Sequence, residues 1–247
     1  TMEYIILFLR NMKSQRYKSI RDLLYNIRTN DLRELLEQLG RDHLFYRTIL
    51  EVLQNPGLAN CHREALYNLA VILGEKANVQ SMLRHDALNI ILSFQNNEDI
   101  RTLYNCLWCL FGISSSTPNN RQICIDHGVL EIAINKMISK IDDSITDIGG
   151  QVLYGMCHMR PYLTKEMAKP LFDHIPELLS LNENSLKYTL WSIHFSIIDN
   201  PEMIVDLKIE SSLAPLMSSE QNSVLIPLNI LVSEVFKFSQ SDLTSFL

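Results

Sequence analysis

Glycine and proline are scarce, with 8 of each in 247 residues. A chain this poor in turn punctuation and rich in helix formers is expected to be helical throughout. The β-branched pairs Ile90-Ile91 and Ile197-Ile198 fall inside helical spacing rather than in strand alternation. Clustered basic charge is lacking too. The formal net charge is −6, and the basic-rich segment Arg10, Lys13, Arg16, Lys18 and Arg21 is interrupted and reads as a solvated helix face. Nucleic-acid binding, which needs Lys and Arg in patches, is not expected. No apolar run approaches the roughly 20 residues that cross a bilayer. The apolar start Tyr4-Ile5-Ile6-Leu7-Phe8-Leu9 follows Glu3 and has no small-residue cleavage site after it, so it reads as a buried helix rather than a secretory signal. Five cysteines, an odd number, form no disulfide-type framework in a chain too large to need one, which points to a reducing compartment.

Catalytic signatures are also missing. No nucleophile motif, phosphate loop or paired-carboxylate arrangement stands out, so an enzyme is not expected, and no cofactor is implied. Cys106 and Cys109 form a C-x-x-C pair. Redox chemistry would need a helix N-terminus, and zinc would need a second pair. With neither present, the two are read as buried thiols in mid-helix. Cys157-His158 has no partners at useful local spacing, so metal is not expected there. His158 is read as a polar groove residue. Asn119-Asn120, after Thr117-Pro118, reads as a turn with a helix cap.

What is present is a repeat. Tyr67, Trp108, Tyr154 and Trp191 follow one another at intervals of 41, 46 and 37 residues. Each lies mid-helix in a similar setting: Ala65-Leu66-Tyr67-Asn68-Leu69, Cys106-Leu107-Trp108-Cys109-Leu110, Val152-Leu153-Tyr154-Gly155-Met156 and Thr189-Leu190-Trp191-Ser192-Ile193. A helical repeat of about 40 residues marks an α-solenoid, whose function lies on an extended surface rather than in a pocket. The periodicity predicts long aromatic-centred helices over 62–74, 100–114, 146–159 and 184–198. Short helices follow at 77–84, 120–126, 165–171 and 201–206, and third helices at 87–94, 129–138, 175–181 and 212–217. Earlier helices are expected over 3–12, 17–28, 32–39 and 43–54, and a last long one over 224–238. Asp31 and Glu34 have the spacing of a capping box ahead of the third of these. With no linker-like stretch, residues 1–247 read as one domain of about six repeats, all-α and right-handed.

These residues resemble the armadillo repeats of the importin-α (karyopherin-α) family, the adaptors that bind nuclear-localisation signals. Cys106-Leu107-Trp108-Cys109-Leu110-Phe111-Gly112-Ile113 is similar to the family's A-V-W-A-L-G-N-I helix. Asn120-Arg121-Gln122-Ile123-Cys124-Ile125-Asp126-His127-Gly128-Val129-Leu130 is similar to its N-R-x-x-V-x-x-x-G-A-L segment. Arg160-Pro161 and the later Ile175-Pro176-Glu177-Leu178-Leu179 resemble its longer, Pro-containing link. The resemblance spans nearly the whole chain, and on it the family's basic importin-β-binding segment is not seen ahead of the first repeat.

The resemblance implies a peptide groove. In the family each groove helix pairs a Trp with an Asn four residues on, which lie on one helix face. The amides hold the peptide backbone, and the Trp rings grip lysine stems through cation–π contacts of roughly 0.5–2 kcal/mol. Here the aromatics are kept and the amides are lost: Tyr67 is followed by Val71, Trp108 by Gly112, Tyr154 by His158 and Trp191 by Phe195. The later helix carries Asn229 and Ser233 with no matching aromatic, and the family's lysine-gripping Asp falls on Ser116. Each lost hydrogen bond costs about 0.5–1.5 kcal/mol, so basic signal peptides are expected to bind weakly or not at all. Periodicity alone favours core packing for the rings, since aromatics at helical spacing usually pack inside. The resemblance assigns Trp108 and Trp191 to the groove and leaves Tyr67 and Tyr154 undecided.

The expectation is a protein-binding adaptor of nucleus and cytoplasm, engaging an extended peptide or a folded partner. The alternative is structural: a scaffold subunit of a larger nuclear complex, or a solenoid that self-associates through apolar end helices.

Overall fold

The computed structural model describes residues 43–200 and 210–239, and every regular element among them is helical. The helices expected over 3–12, 17–28, 32–39 and 201–206 lie outside the described residues. Two compact units divide the chain, one ending at Ser116 and the other beginning at Thr117.

In the first unit, α1 (His43–Gln54) stops at Asn55-Pro56-Gly57, where the Asn55 carboxamide oxygen accepts the Gly57 N–H at 2.9 Å. A 3-10 turn (Pro56–Cys61) leads into α2 (His62–Leu73), followed by α3 (Lys76–Leu83), α4 (Ala87–Leu92) and α5 (Ile100–Ser114). Asp99 starts α5 by accepting the Thr102 N–H at 3.0 Å, which satisfies one of the orphan donors of the first turn. Helices this short are marginal alone, so packing must hold them. The main pairing is α2 on α5, and the core is built from Leu66, Leu69, Leu73, Leu107, Leu110 and Ile113, all buried. Two bonds cross this pair at the repeat spacing: Asn105 Nδ2 donates to the Arg63 carbonyl at 2.9 Å, and the Cys109 thiol to the Leu66 carbonyl at 3.4 Å.

The second unit runs through α6 (Pro118–Asp126), α7 (Val129–Ser139), α8 (Asp143–Cys157), α9 (Lys165–Asp173), α10 (Ile175–Leu179), α11 (Glu183–Ile198), α12 (Glu210–Leu213), a 3-10 turn (Ala214–Ser218) and α13 (Asn222–Ser239). α8 packs on α11, and α11 on α13. The long helices again start at polar caps. Asp142 accepts from Ser144 N–H at 2.8 Å, and Asn182 accepts from Ser185 N–H at 3.0 Å. Neighbouring repeats are stapled beside these caps, where Ser185 Oγ donates to Asp147 at 2.6 Å.

Several expectations shift. The residues Asn119 and Asn120 are not a turn; they lie in the first turn of α6, with Thr117 as the cap and Pro118 at the first helical position, where its missing N–H costs nothing. Helix α8 begins at Asp143 rather than 146, because Asp142 supplies the cap. The third helix expected over 212–217 is a single turn of α-helix at Glu210–Leu213 running into the 3-10 turn that contains Pro215.

Candidate peptide-binding stripe

Each long helix turns one face inward and leaves one stripe partly open. On α5 the buried residues Leu103, Cys106, Leu107 and Leu110 alternate with half-buried Tyr104, Trp108, Phe111 and Ser115. On α8 the stripe is Asp147, Gln151, Tyr154 and His158. This four-three-four spacing is one helix face. Tyr67, Trp108, Tyr154 and Trp191 are all half-buried, so each ring lies on the partly open face of its own helix and none is sealed in the core.

The positions four residues beyond the rings divide. Val71, His158 and Phe195 are half-buried on the same stripe, and Asn229 and Ser233 are exposed on α13. Gly112 and Ser116 are not on it. Gly112 is buried because α5 closes on the end of α2: a Cβ there would lie 3.0 Å from both the Cβ and the carbonyl oxygen of Leu73. Ser116 is 5% exposed, and its hydroxyl donates to the Ile113 carbonyl at 2.6 Å, so it offers nothing to a ligand. The expected contact roles of Gly112 and Ser116 are therefore withdrawn; the first is a packing position and the second a helix-end position.

In the first unit, Trp108 meets Tyr67 edge-on at 5.7 Å between ring centres, and Tyr104 at 6.3 Å. Arg63, one turn before Tyr67 on α2, is held by the buried carboxylate of Glu64 at 2.6 Å, and that hydrogen bond raises its pKa above the ordinary value.

The second unit has a larger ring cluster. His158 stacks on Tyr154 at 4.8 Å with its planes 5° apart, and its Nδ1–H donates to the Tyr154 carbonyl at 3.1 Å. Phe195 joins Tyr154 at 6.0 Å and Trp191 at 5.7 Å, and stacks on Tyr162 at 5.8 Å. Tyr188 lies 6.1 Å from Tyr154. Two cations rest on this cluster: Lys187 Nζ sits 4.9 Å from the centre of the Tyr188 ring, and the Arg160 guanidinium 5.5 Å from that of Tyr162. Among the described residues, no carboxylate lies within ion-pair distance of either. The Arg160 pKa is nonetheless raised, first by its hydrogen bond to Tyr162, and Asp199 adds a weak pull.

A slot of about 390 Å³ opens beside these rings. Tyr154, Tyr188 and Trp191 form one wall, and Ile226 and Pro227 of α13 the other. Lys187 and Ser223 are its polar edge. Ile226 is 56% exposed, an apolar side chain offered to solvent at the mouth. Pro227 lies inside α13 and supplies no N–H to the Ser223 carbonyl four residues back.

What steadies this cluster is a buried cation beneath it. Arg121 is 4% exposed and donates to the Met159 carbonyl at 2.5 Å and to the Pro161 carbonyl at 2.6 Å, tying down the segment that carries Arg160 and Tyr162. Asn200 does the same for the far side, donating to the Leu163 carbonyl at 2.8 Å.

The thiols are interior. Cys106 and Cys109 are fully buried, and burial raises the Cys109 pKa well above the ordinary thiol value. Burial pushes Cys124 up to about 12 and Cys157 to about 11, so these sulfurs are held as unreactive thiols. Among the described residues there is no group of three or more His, Cys, Asp or Glu placed to hold a metal ion, and no helix long and apolar enough to cross a membrane.

Sequence reasoning missed Tyr104, Tyr162, Lys187 and Tyr188. Tyr104 and Tyr188 stand four and three residues before the two tryptophans, a helical-neighbour spacing that could have flagged them. Tyr162 and Arg160 lie in a link with no periodicity to read.

The architecture matches that of armadillo-repeat proteins. A designed armadillo repeat protein solved in complex with the peptide (KR)4 superposes with a TM-score of 0.78 at 13% identity, covering 92% of this chain and 98% of that one. A structure of computationally designed armadillo repeat proteins for modular peptide recognition gives 0.77 at 13% identity, with 94% and 98% covered. A further designed armadillo repeat protein gives 0.74 at 14% identity, with 88% and 94% covered. No protein-family model and no curated protein matches the chain. The chain therefore has the armadillo-repeat α-solenoid fold. At these identities the likeness establishes the fold alone.

Proposed function

We propose that this chain is a protein-interaction module that captures an extended peptide segment along its half-buried aromatic stripe. One observation carries this reading: within each unit the long helices present partly open rings, Tyr67 and Trp108 in the first and Tyr154 and Trp191 in the second. Large rings left half in water cost apolar exposure of about 25 cal/mol per Å² in the free protein, and a partner that covers them recovers it. The (KR)4 complex of a protein with this fold supports peptide capture as the mode. The proposal extends to kinship with importin-α, on the motifs around Trp108 and Asn120, and with it to an adaptor role in nucleus and cytoplasm.

Ordinary basic nuclear-localisation signals are not the ligand. The amide positions after the rings hold Val71, Gly112, His158 and Phe195, so the carboxamides that would hold a peptide backbone are gone. Counting only Val71, Gly112 and His158, three lost hydrogen bonds at about 0.5–1.5 kcal/mol each are enough to reduce micromolar binding to the negligible. Fluorescence anisotropy with a labelled basic signal peptide tests this. Binding in the low micromolar range or tighter, abolished by Trp108→Ala, would refute it. Partner capture from native cells with Trp108→Ala and Trp191→Ala baits tests the stripe itself; losses of at least about ten-fold are expected for a central aromatic anchor. Retention by both baits would move the interface off the stripe.

A further inference from the structure

We infer that the slot of the second unit takes a peptide segment in which a bulky aromatic or aliphatic side chain stands beside carboxylates. This rests on the peptide-binding reading above. An incoming lysine would need a carboxylate to pair with, and the lining of the slot holds none. The Tyr188 face carries Lys187, and the Tyr162 face, behind Phe195, carries Arg160. The cation–π capacity at these two rings is already used by the protein's own side chains, and each would repel a second cation.

The carboxylates nearest the slot along its own helices are turned elsewhere. Glu183 of α11 accepts from the Ser219 hydroxyl at 3.4 Å, Asp147 of α8 from Ser185 at 2.6 Å, and Glu234 of α13 pairs with Lys237 at 2.8 Å. What faces the slot is apolar on two walls with one ammonium at the edge. Its volume of about 390 Å³ accommodates one large side chain.

Trp191 sits in the wall between the Phe195 stack and the slot, so a side chain inserted beside it buries a face that is now half in water. Lys187 then selects the flanking charge. The net charge of −6 opposes an acidic peptide at long range, but at physiological salt that repulsion is screened beyond about 8 Å while Lys187 acts in contact.

The chain has two tryptophans, so in a Trp108→Phe background the intrinsic fluorescence reports Trp191 alone. The probes are three labelled Trp-free peptides of roughly a dozen residues: a central Phe flanked by Asp, the same Phe flanked by Lys, and Ala in place of Phe between the Asp residues. The acidic Phe peptide is expected to perturb Trp191 emission and to bind at least about ten-fold tighter than the other two. Lys187→Glu should weaken it by about five-fold or more and narrow or reverse the preference over the Lys peptide, with Lys187→Gln in between and thermal unfolding unchanged. Equal or tighter binding of the Lys peptide, or a preference indifferent to Lys187, overturns this inference and leaves peptide capture standing. If no peptide binds, this inference fails; if the Trp108→Ala and Trp191→Ala baits also keep their partners, the stripe reading falls with it.

Discussion

The two units carry the same stripe and treat charge in opposite ways. In the first, Arg63 is paired with the buried Glu64 carboxylate, and the rings of Tyr67 and Tyr104 meet Trp108 edge-on. In the second, Lys187 and Arg160 have no carboxylate within ion-pair distance among the described residues and lie on Tyr188 and Tyr162 instead. One repeat pattern thus yields two chemically different surfaces. The rings come from the period, and their partners come from side chains that vary within it. A solenoid diversifies cheaply in this way, because a stripe residue can change its charge without disturbing the buried face three or four positions away.

The sharpest way to break the comparison is through what supports each stripe. The second unit relies on a buried guanidinium. Removing it by Arg121→Ala strands the Met159 and Pro161 carbonyls, and about 2–4 kcal/mol of unfolding free energy should be lost in urea denaturation. Arg121→Lys should recover part of this, since an ammonium cannot reach both carbonyls in the same fork. The first unit spans its helices with the neutral Asn105 amide, and Asn105→Ala should cost only about 1 kcal/mol. Equal losses from the two alanine variants would erase the distinction.

A smaller contrast lies in how closely the helices approach. Gly112→Ala pushes a Cβ to 3.0 Å from Leu73, backbone included, which cannot retreat. After the gain of about 0.5–1 kcal/mol from replacing a helical glycine, a net destabilisation of about 1–2 kcal/mol is expected. Gly149→Ala in the second unit meets the buried Met137 Cγ at 2.8 Å and the Ala133 carbonyl oxygen at 3.3 Å; the closest atom belongs to a side chain that can turn, so a smaller net loss than that of Gly112→Ala is expected. Thermal melts of the pair read the difference.

The smallest expected effect is pH-dependent and belongs to the second unit. Burial lowers the His194 imidazole below its ordinary 6.5, with Glu234 opposing in part. A base with a depressed folded pKa binds its proton more weakly when folded than unfolded. The stability it leaves intact is fully present above 6.5 and is lost as pH falls through the folded value. The urea midpoint should fall slightly between about pH 7.5 and about pH 5.5, and less so in His194→Gln. No change in the slope on this substitution would show that His194 does not set it.

Much of the helical layout was legible before any coordinates. The helices over 43–54 and 100–114 match the observed bounds, and α2 and α11 differ from expectation by a single residue. Apolar periodicity and terminal polar caps are local signals, and each survives in a single sequence. The Asn119-Asn120 pair was misread because an asparagine tract suggests a turn, whereas Thr117 had already taken the cap. The site was less legible. Gly112 and Ser116 occupy stripe positions by counting but are buried, since the close approach of α5 to Leu73 is a property of packing. Lys187 drew no notice, and Arg160 only as part of a Pro-containing link, because a lone surface cation has no signature of its own; the ring beneath it gives it meaning.

The order and period of the helices, their caps and the recurrence of an aromatic at one face follow from the linear chain, because they depend on spacings within a few residues. Which of those aromatics stay half open, and where α13 closes a slot beside Trp191, were decided only when helices some 40 residues apart came together. Contacts between distant segments depend on volumes and approach distances, which the one-dimensional pattern does not contain.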